Sequence, residues 1–167
     1  TALGAERAGA RVLDHPPVSG RLLDRTVAWR AFGILGPTEA IAEIAVFTAA
    51  LWAAGWRLGE TFPHGADLAA ASGGAFATVV VMQMANSFAC RSTRLPAWRL
   101  PWMGNRFLLV AVATSSAFAL MCLLVDPAAR LLGQAWPPSA VLPMIALSAP
   151  LLLGVDAVWK RWLRHRV

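Results

Sequence analysis

Two glutamates inside an apolar stretch are the first residues of this sequence whose type and spacing suggest chemistry. Glu39 and Glu43 are four residues apart, so in a helix they share one face. Two carboxylates in lipid are costly, and we expect them to face other helices, to be protonated, or to lie near the surface. They are candidate intramembrane polar residues, either as cation ligands or as partners in hydrogen bonds between helices.

Two amide side chains form a second candidate group. Gln83 and Asn86 are three residues apart in another apolar stretch, so a helix would point them to the same side. Their carbonyl oxygens suit hard cations such as Ca²⁺ or Mg²⁺, which prefer oxygen ligands. The same amides are also suited to hydrogen bonds between helices in a membrane. Both interpretations stay open, and we name Gln83 and Asn86 as candidate cation-binding residues.

Asp156 and Lys160 form a third group, near the end of the last apolar stretch. The acid precedes the base by four residues, which is the favourable order for an ion pair on a helix. We predict a structural ion pair at a helix end.

The residue patterns of soluble enzymes do not occur in this sequence. There is no GxGxxG and no GKS or GKT string to hold a phosphate. His15, His64 and His165 are far apart and have no Cys or His neighbour at the spacing of a metal site. We therefore predict no catalytic residue, no metal site and no cofactor held by this chain.

Four apolar stretches must position these polar groups. The chain is 57% hydrophobic and only 14% charged, which is too apolar for an ordinary soluble domain. Residues 68–90, 107–125 and 131–155 carry no charge at all, and a spanning helix needs about 20 apolar residues. The sequence predicts an all-α, polytopic membrane protein with a four-helix transmembrane domain over residues 27–167. The predicted spans are 27–56, 72–91, 106–126 and 139–163, with Pro37, Pro143 and Pro150 expected to kink or shorten their helices.

The basic residues predict the orientation of these spans. Thirteen of the fifteen Lys and Arg residues lie in three stretches, at 7–30, 91–106 and 160–166. Lys and Arg near span ends stay cytoplasmic, so both termini and the middle loop should share that side. Residues 1–26 would be a cytoplasmic lead segment. Because the charges flank the spans rather than cover one face, no nucleic acid partner is predicted.

Two further features complete the membrane interpretation. All eight tryptophans lie near predicted span ends, where their amphipathic rings prefer the headgroup layer. Cys90 and Cys122 fall at opposite ends of their spans, too far apart for a disulfide.

The sequence begins with Thr rather than Met and reads as a continuation, so we expect a fragment of a longer protein.

Five short strings, in order along the chain, resemble one known family. They are residues 14–25 (DHPPVSGRLLDR), residues 81–92 (VMQMANSFACRS), Asn105-Arg106, Val125-Asp126-Pro127, and Gly154-Val155-Asp156 with Lys160. Together they resemble the C-terminal transmembrane region of P-type cation-transporting ATPases of the calcium-pump and sodium-pump group. The corresponding segment is the seventh to the tenth helix of those pumps.

This resemblance implies a function that the chain does not perform alone. Such pumps use ATP and Mg²⁺ and a phosphorylated aspartate in an Asp-Lys-Thr-Gly-Thr motif, which is missing here. The chain would be a static support in a bacterial plasma membrane. Its partners would be the lipid bilayer, the remaining helices and cytoplasmic domains of the same pump, and the transported cation. The resemblance places one cation ligand at Gln83, where two-calcium pumps have glutamate and plasma-membrane-type pumps have glutamine.

Two other functions stay open at this point. One is a free-standing four-helix accessory or scaffold protein of the membrane. The other is a small proton-coupled transporter that uses Glu39 and Glu43. The flanking sequence would distinguish both from a portion of a pump.

Overall fold

The computed structural model describes residues 25–164, and within that range every regular element is a helix. Four helices are long and apolar enough to cross a membrane, which confirms the predicted all-α, four-helix fold. They are α1 (Arg25–Ala53), α2 (Ala66–Ala89), α3 (Arg106–Leu124) and α5 (Leu142–Arg164), with the short α4 (Asp126–Leu131) after α3. Most of the predicted lead segment, at residues 1–24, lies outside the described residues.

The start of α2 differs most from the sequence expectation. The helix begins at Ala66 rather than near residue 72, directly after Gly65. Gly65 has a φ of 64°, a conformation that glycine adopts readily, so the chain turns sharply into the helix. Asp67 in the first turn complements the positive end of the helix dipole. The early start makes α2 24 residues long, enough to cross a bilayer.

Pro37 and Pro150 do not end their helices, and Pro143 lies in the first turn of α5. Before Pro37, residues Trp29–Leu35 of α1 wind as a π-helix, and the wider turn accommodates the proline ring. One residue after the proline, Thr38 Oγ1 donates to the Ile34 carbonyl at 2.7 Å. Pro150 lies inside α5, which continues to Arg164. Neighbouring packing allows such prolines in membrane helices.

The second spanning helix is the centre of the bundle. It packs extensively against α1 and α5, whereas α3 touches α2 over a shorter length. Two clusters of buried side chains fill the space between α1, α2 and α5. One contains Val46, Ala50, Leu51, Ala71, Val141 and Ile145, and the other contains Leu35, Met82, Ala85 and Leu152.

Two adjacent glycines let the segment before α5 approach the backbone of α2. The Ala135 N–H donates to the Ala69 carbonyl at 2.9 Å. A Cβ on Gly73 would lie 1.8 Å from the Ala135 carbonyl oxygen, so only glycine fits there. Gly74 faces Val46 and Pro137 in the same contact. Gly73 and Gly74 therefore bring α2 and the α4–α5 connection together.

The outer surface of the bundle is apolar. Ile41, Phe107 and Val158 are 69%, 70% and 70% exposed, and each lies on a different spanning helix. In water such a surface would be a large interaction patch, but it fits the hydrocarbon of a bilayer or further membrane helices.

Candidate functional site

A hydrogen bond between α1 and α2 joins one residue from each of the two predicted polar pairs. Gln83 Nε2 donates to Glu39 Oε2 at 3.0 Å. The sequence grouped Glu39 with Glu43 and Gln83 with Asn86, because residues close in sequence share a helix face. The structure instead brings Glu39 and Gln83 together across 44 positions of sequence.

The other carboxylate oxygen of Glu39 has no partner within residues 25–164. Glu39 Oε1 is buried and makes no hydrogen bond there, and Glu43 lies one turn away on the same helix. A buried oxygen without a donor costs about 1–3 kcal/mol. Glu39 Oε1 can therefore accept an interaction from another group, such as a cation or a hydrogen-bond donor on another helix.

Gln83 also borders a groove between α2 and α3. This groove has a volume of about 800 Å³, and its polar lining comes from Gln83, Ser87, Thr114 and Ser115. Ser87 Oγ donates to the Gln83 backbone carbonyl at 2.9 Å, so that hydroxyl is already engaged. The groove therefore presents the Gln83 side chain on an otherwise largely apolar surface.

Asn86 has a different partner from Gln83. Cys90 Sγ lies 3.5 Å from Asn86 Oδ1 and donates to it. The Arg30 guanidinium approaches the same sulfur, with Nη1 at 3.9 Å. Asn86 therefore belongs to the group of side chains near the end of α2, while Gln83 belongs to the contact with Glu39.

A buried ion cluster lies at that end of the bundle. Arg30 donates to Asp156 Oδ1 from both Nε at 2.8 Å and Nη2 at 2.6 Å. Lys160 Nζ lies 2.5 Å from Asp156 Oδ2 and donates to the Ala89 carbonyl at 2.7 Å. The side chains of Asp156 and Lys160 are 1% and 0% exposed.

The cluster ties three helices together. Arg30 comes from α1, Ala89 from α2, and Asp156 and Lys160 from α5. Two cations share one carboxylate, and the remaining positive charge faces the carbonyl end of α2, where the helix dipole is negative. Because these groups engage one another, the arrangement serves packing and leaves little for chemistry.

Sequence reasoning found part of this cluster and missed part. The spacing of Asp156 and Lys160 is visible in the sequence, whereas Arg30 is 126 positions away from Asp156. The one available signal for Arg30 was its type, because an arginine just inside an apolar stretch needs a partner.

Conventional metal-ligand clusters do not occur in the described part of the chain. No group of three or more His, Cys, Asp or Glu residues lies together within residues 25–164. Cys90 and Cys122 are free thiols. His15 and His165 lie outside the described residues, and His64 is exposed in the α1–α2 connection. Within residues 25–164, the contact between Glu39 and Gln83 is the candidate polar site between the spanning helices.

Comparison with known proteins gives one positive result. Residues 1–162 match a protein family described as "Cation transporting ATPase, C-terminus". The matched range contains α1 to α4 and nearly all of α5. No curated protein matches the chain.

Proposed function

We propose a role for this chain from the premise that it belongs to the family of C-terminal regions of cation-transporting ATPases, which its sequence matches over residues 1–162. The chain is the transmembrane C-terminal part of a P-type cation ATPase. The match does not favour a free-standing accessory protein. Within the pump, α1, α2 and α5 form a fixed support, and Gln83 supplies one oxygen ligand to the transported cation, calcium or a related ion.

The observation that carries the ligand role is the hydrogen bond between Gln83 and Glu39. A carboxylate accepts hydrogen bonds, so Gln83 must direct its amide nitrogen toward Glu39. The amide oxygen is thereby left for another partner, on an exposed side chain that borders the α2–α3 groove. An uncharged carbonyl oxygen is a suitable ligand for a hard cation, although it is weaker than a carboxylate. Glu39 sets the orientation of this ligand.

Asn86 has a lesser role in this proposal. Its oxygen accepts from Cys90, beside Arg30. We place it with the supporting side chains at the end of α2, and we place Glu43 on the α1 face that Glu39 also occupies.

We infer the orientation of the bundle from the distribution of basic residues. The connection between α2 and α3 carries Arg91, Arg94 and Arg99, and the last turn of α5 carries Arg161 and Arg164. The rule that Lys and Arg near span ends stay inside favours the cytoplasm for that end of the bundle. In this orientation the buried ion cluster lies toward the cytoplasm. The chain is an integral membrane protein, and we propose that the membrane is a bacterial plasma membrane.

ATP and Mg²⁺ act in other parts of the pump. P-type ATPases use both, but the sequence of this chain has no Asp-Lys-Thr-Gly-Thr motif. The adjacent glycines at 73 and 74 pack against Ala135 and Pro137 within the bundle, so they do not form a phosphate loop. The nearest partners of this chain are the remaining helices of the pump, for which the α2–α3 groove offers room.

Replacing Gln83 with alanine in the intact pump tests the ligand role. We expect the cation concentration for half-maximal phosphorylation to rise about tenfold, since one oxygen ligand worth about 1.4 kcal/mol is lost. The measurement is the formation of phosphoenzyme across a cation titration, with the amount of assembled pump quantified in the same membranes.

Ser115→Ala is the matched control for this substitution. Ser115 lines the same groove from α3, and losing its hydroxyl should leave the titration unchanged. If Gln83→Ala titrates like the unmodified pump at equal assembly, Gln83 is not a ligand.

A further inference from the structure

A second groove runs along α5, and Ile34 of α1 lies on its other side. It has a volume of about 720 Å³, and its lining is almost entirely apolar, from Ile34 through Leu151 and Val158 to Trp162. Gly154 lines the groove, and a Cβ at that position would meet no atom within 4 Å, so a larger side chain there would project into open space. Ile34 lies in the π-helical segment Trp29–Leu35 of α1, and Pro150 lines the groove from inside α5.

The length and the ends of this groove match one leaflet of a bilayer. Pro150 and Trp162 both line it, and twelve residues of helix separate them. At 1.5 Å per residue that distance is about 18 Å. Half of the hydrocarbon core of a bilayer is about 15 Å. Trp159 and Trp162 stack at one end, with ring centroids 4.9 Å apart. Tryptophans prefer the headgroup level, so the groove runs from there into the hydrocarbon.

The tryptophan end of the groove is basic. Arg161 is exposed and lies three residues after Val158, so the two are neighbours on the surface of α5. Arg164 and Arg25 are also exposed at this end. The nearby acid, Asp156, is buried and already paired with Arg30 and Lys160. Within residues 25–164, no acidic group forms an ion pair with Arg161.

We propose that this groove binds one acyl chain of an anionic phospholipid, with the phosphate near Arg161. The apolar walls accept the chain, and the length of the groove limits it to a single leaflet. Basic pockets between membrane helices favour anionic headgroups, which selects phosphatidylglycerol over a zwitterionic lipid. The bound lipid fills the space between α1 and α5 beside the ion cluster that joins them. This inference uses the groove and its charges, and it does not depend on Gln83 acting as a ligand.

Lipid retention by the intact pump tests this proposal. The pump is purified in detergent from membranes, incubated with phosphatidylglycerol or phosphatidylcholine, and washed, and the bound lipid is counted by native mass spectrometry. We expect one phosphatidylglycerol per pump to be retained in preference to phosphatidylcholine. Gly154→Leu places a leucine in the groove, where its Cβ meets no atom within 4 Å, so that lipid should be lost. Arg161→Gln should weaken its binding about fivefold, which is the contribution of one basic residue at a membrane surface.

Ala146→Leu is the matched control, because Ala146 is exposed on α5 and does not line the groove. Like Gly154→Leu, Ala146→Leu introduces a leucine into α5, but it does so outside the groove. This variant should therefore retain the lipid. Equal retention of the two lipids by the unmodified pump would mean that only the general lipid annulus is present, and would overturn the proposal. So would a Gly154→Leu pump that keeps its phosphatidylglycerol. A groove occupied by a second copy would show instead as a pump dimer that Gly154→Leu dissociates, and this result would also overturn the lipid assignment.

Discussion

Asp156→Asn is expected to destabilise the transmembrane bundle by about 3–5 kcal/mol, because it leaves the buried Lys160 and the partly buried Arg30 without their counter-charge. Arg30 and Lys160 both contact the Asp156 carboxylate, and Asp156 and Lys160 are almost completely buried. Asparagine keeps the size of the side chain but not the charge. The effect should therefore appear as loss of assembled pump and a lower unfolding temperature. Molecules that do assemble should still transport.

The measurement is the fraction of monodisperse pump after heating in detergent, together with transport per assembled molecule. Asp126→Asn is the matched control, because Asp126 pairs with Arg130 at the same four-residue spacing. Both side chains of that pair are more than 80% exposed. An exposed ion pair contributes about 0–1 kcal/mol, so this variant should unfold like the unmodified pump. A fully stable Asp156→Asn pump without transport would contradict the structural role.

A double substitution separates the charge from the packing. Asp156→Asn combined with Lys160→Met removes one cation together with the anion. If the uncompensated charge is the main cost, this variant should recover part of the stability lost by Asp156→Asn alone.

Gly73→Ala is the substitution with the second-largest expected effect. The added Cβ would overlap the Ala135 carbonyl oxygen, which cannot move without breaking the hydrogen bond from Ala135 to Ala69. Overpacking of this kind costs about 1–3 kcal/mol, and here it acts on the backbone instead of a flexible side chain. The unfolding temperature in detergent should fall, and the connection between α4 and α5 should become more accessible to protease.

Gly154→Ala is the control for the helix propensity of the new residue. Both glycines lie inside spanning helices, but at position 154 an added Cβ meets nothing within 4 Å. Alanine is favoured over glycine in a helix by about 1 kcal/mol, so this variant should be neutral or slightly more stable. If Gly73→Ala were as stable as Gly154→Ala, the close approach at Ala135 would be refuted.

The sequence predicts the helices of this chain better than it predicts their partners. Apolar stretches of spanning length are a direct consequence of the bilayer, so four helices follow from hydropathy alone. The pairing of Glu39 with Gln83 depends on which faces of α1 and α2 meet, and no local spacing contains that information. The same holds for Arg30 and Asp156, which come from the first and last spans.

Pro37 shows a second limit of local rules. A proline inside a helix removes one hydrogen bond and crowds the preceding turn, so a kink or an end is the natural expectation. In α1 the turn before Pro37 widens into a π-helix, and Thr38 supplies a side-chain hydrogen bond to Ile34. The helix continues through Pro37 to Ala53.

Labelling of single cysteines from each side of the membrane tests the central claim, which is that the chain crosses the lipid four times with its basic ends on one side. Cys90 and Cys122 are first replaced by serine, and a cysteine is then placed at Arg94, Arg164, Glu60 or Arg130, in turn. All four positions are exposed. We predict that a membrane-impermeant thiol reagent labels positions 94 and 164 only from the cytoplasmic side, and positions 60 and 130 only from the opposite side. Labelling of positions 94 and 164 from opposite sides would contradict the four-span arrangement.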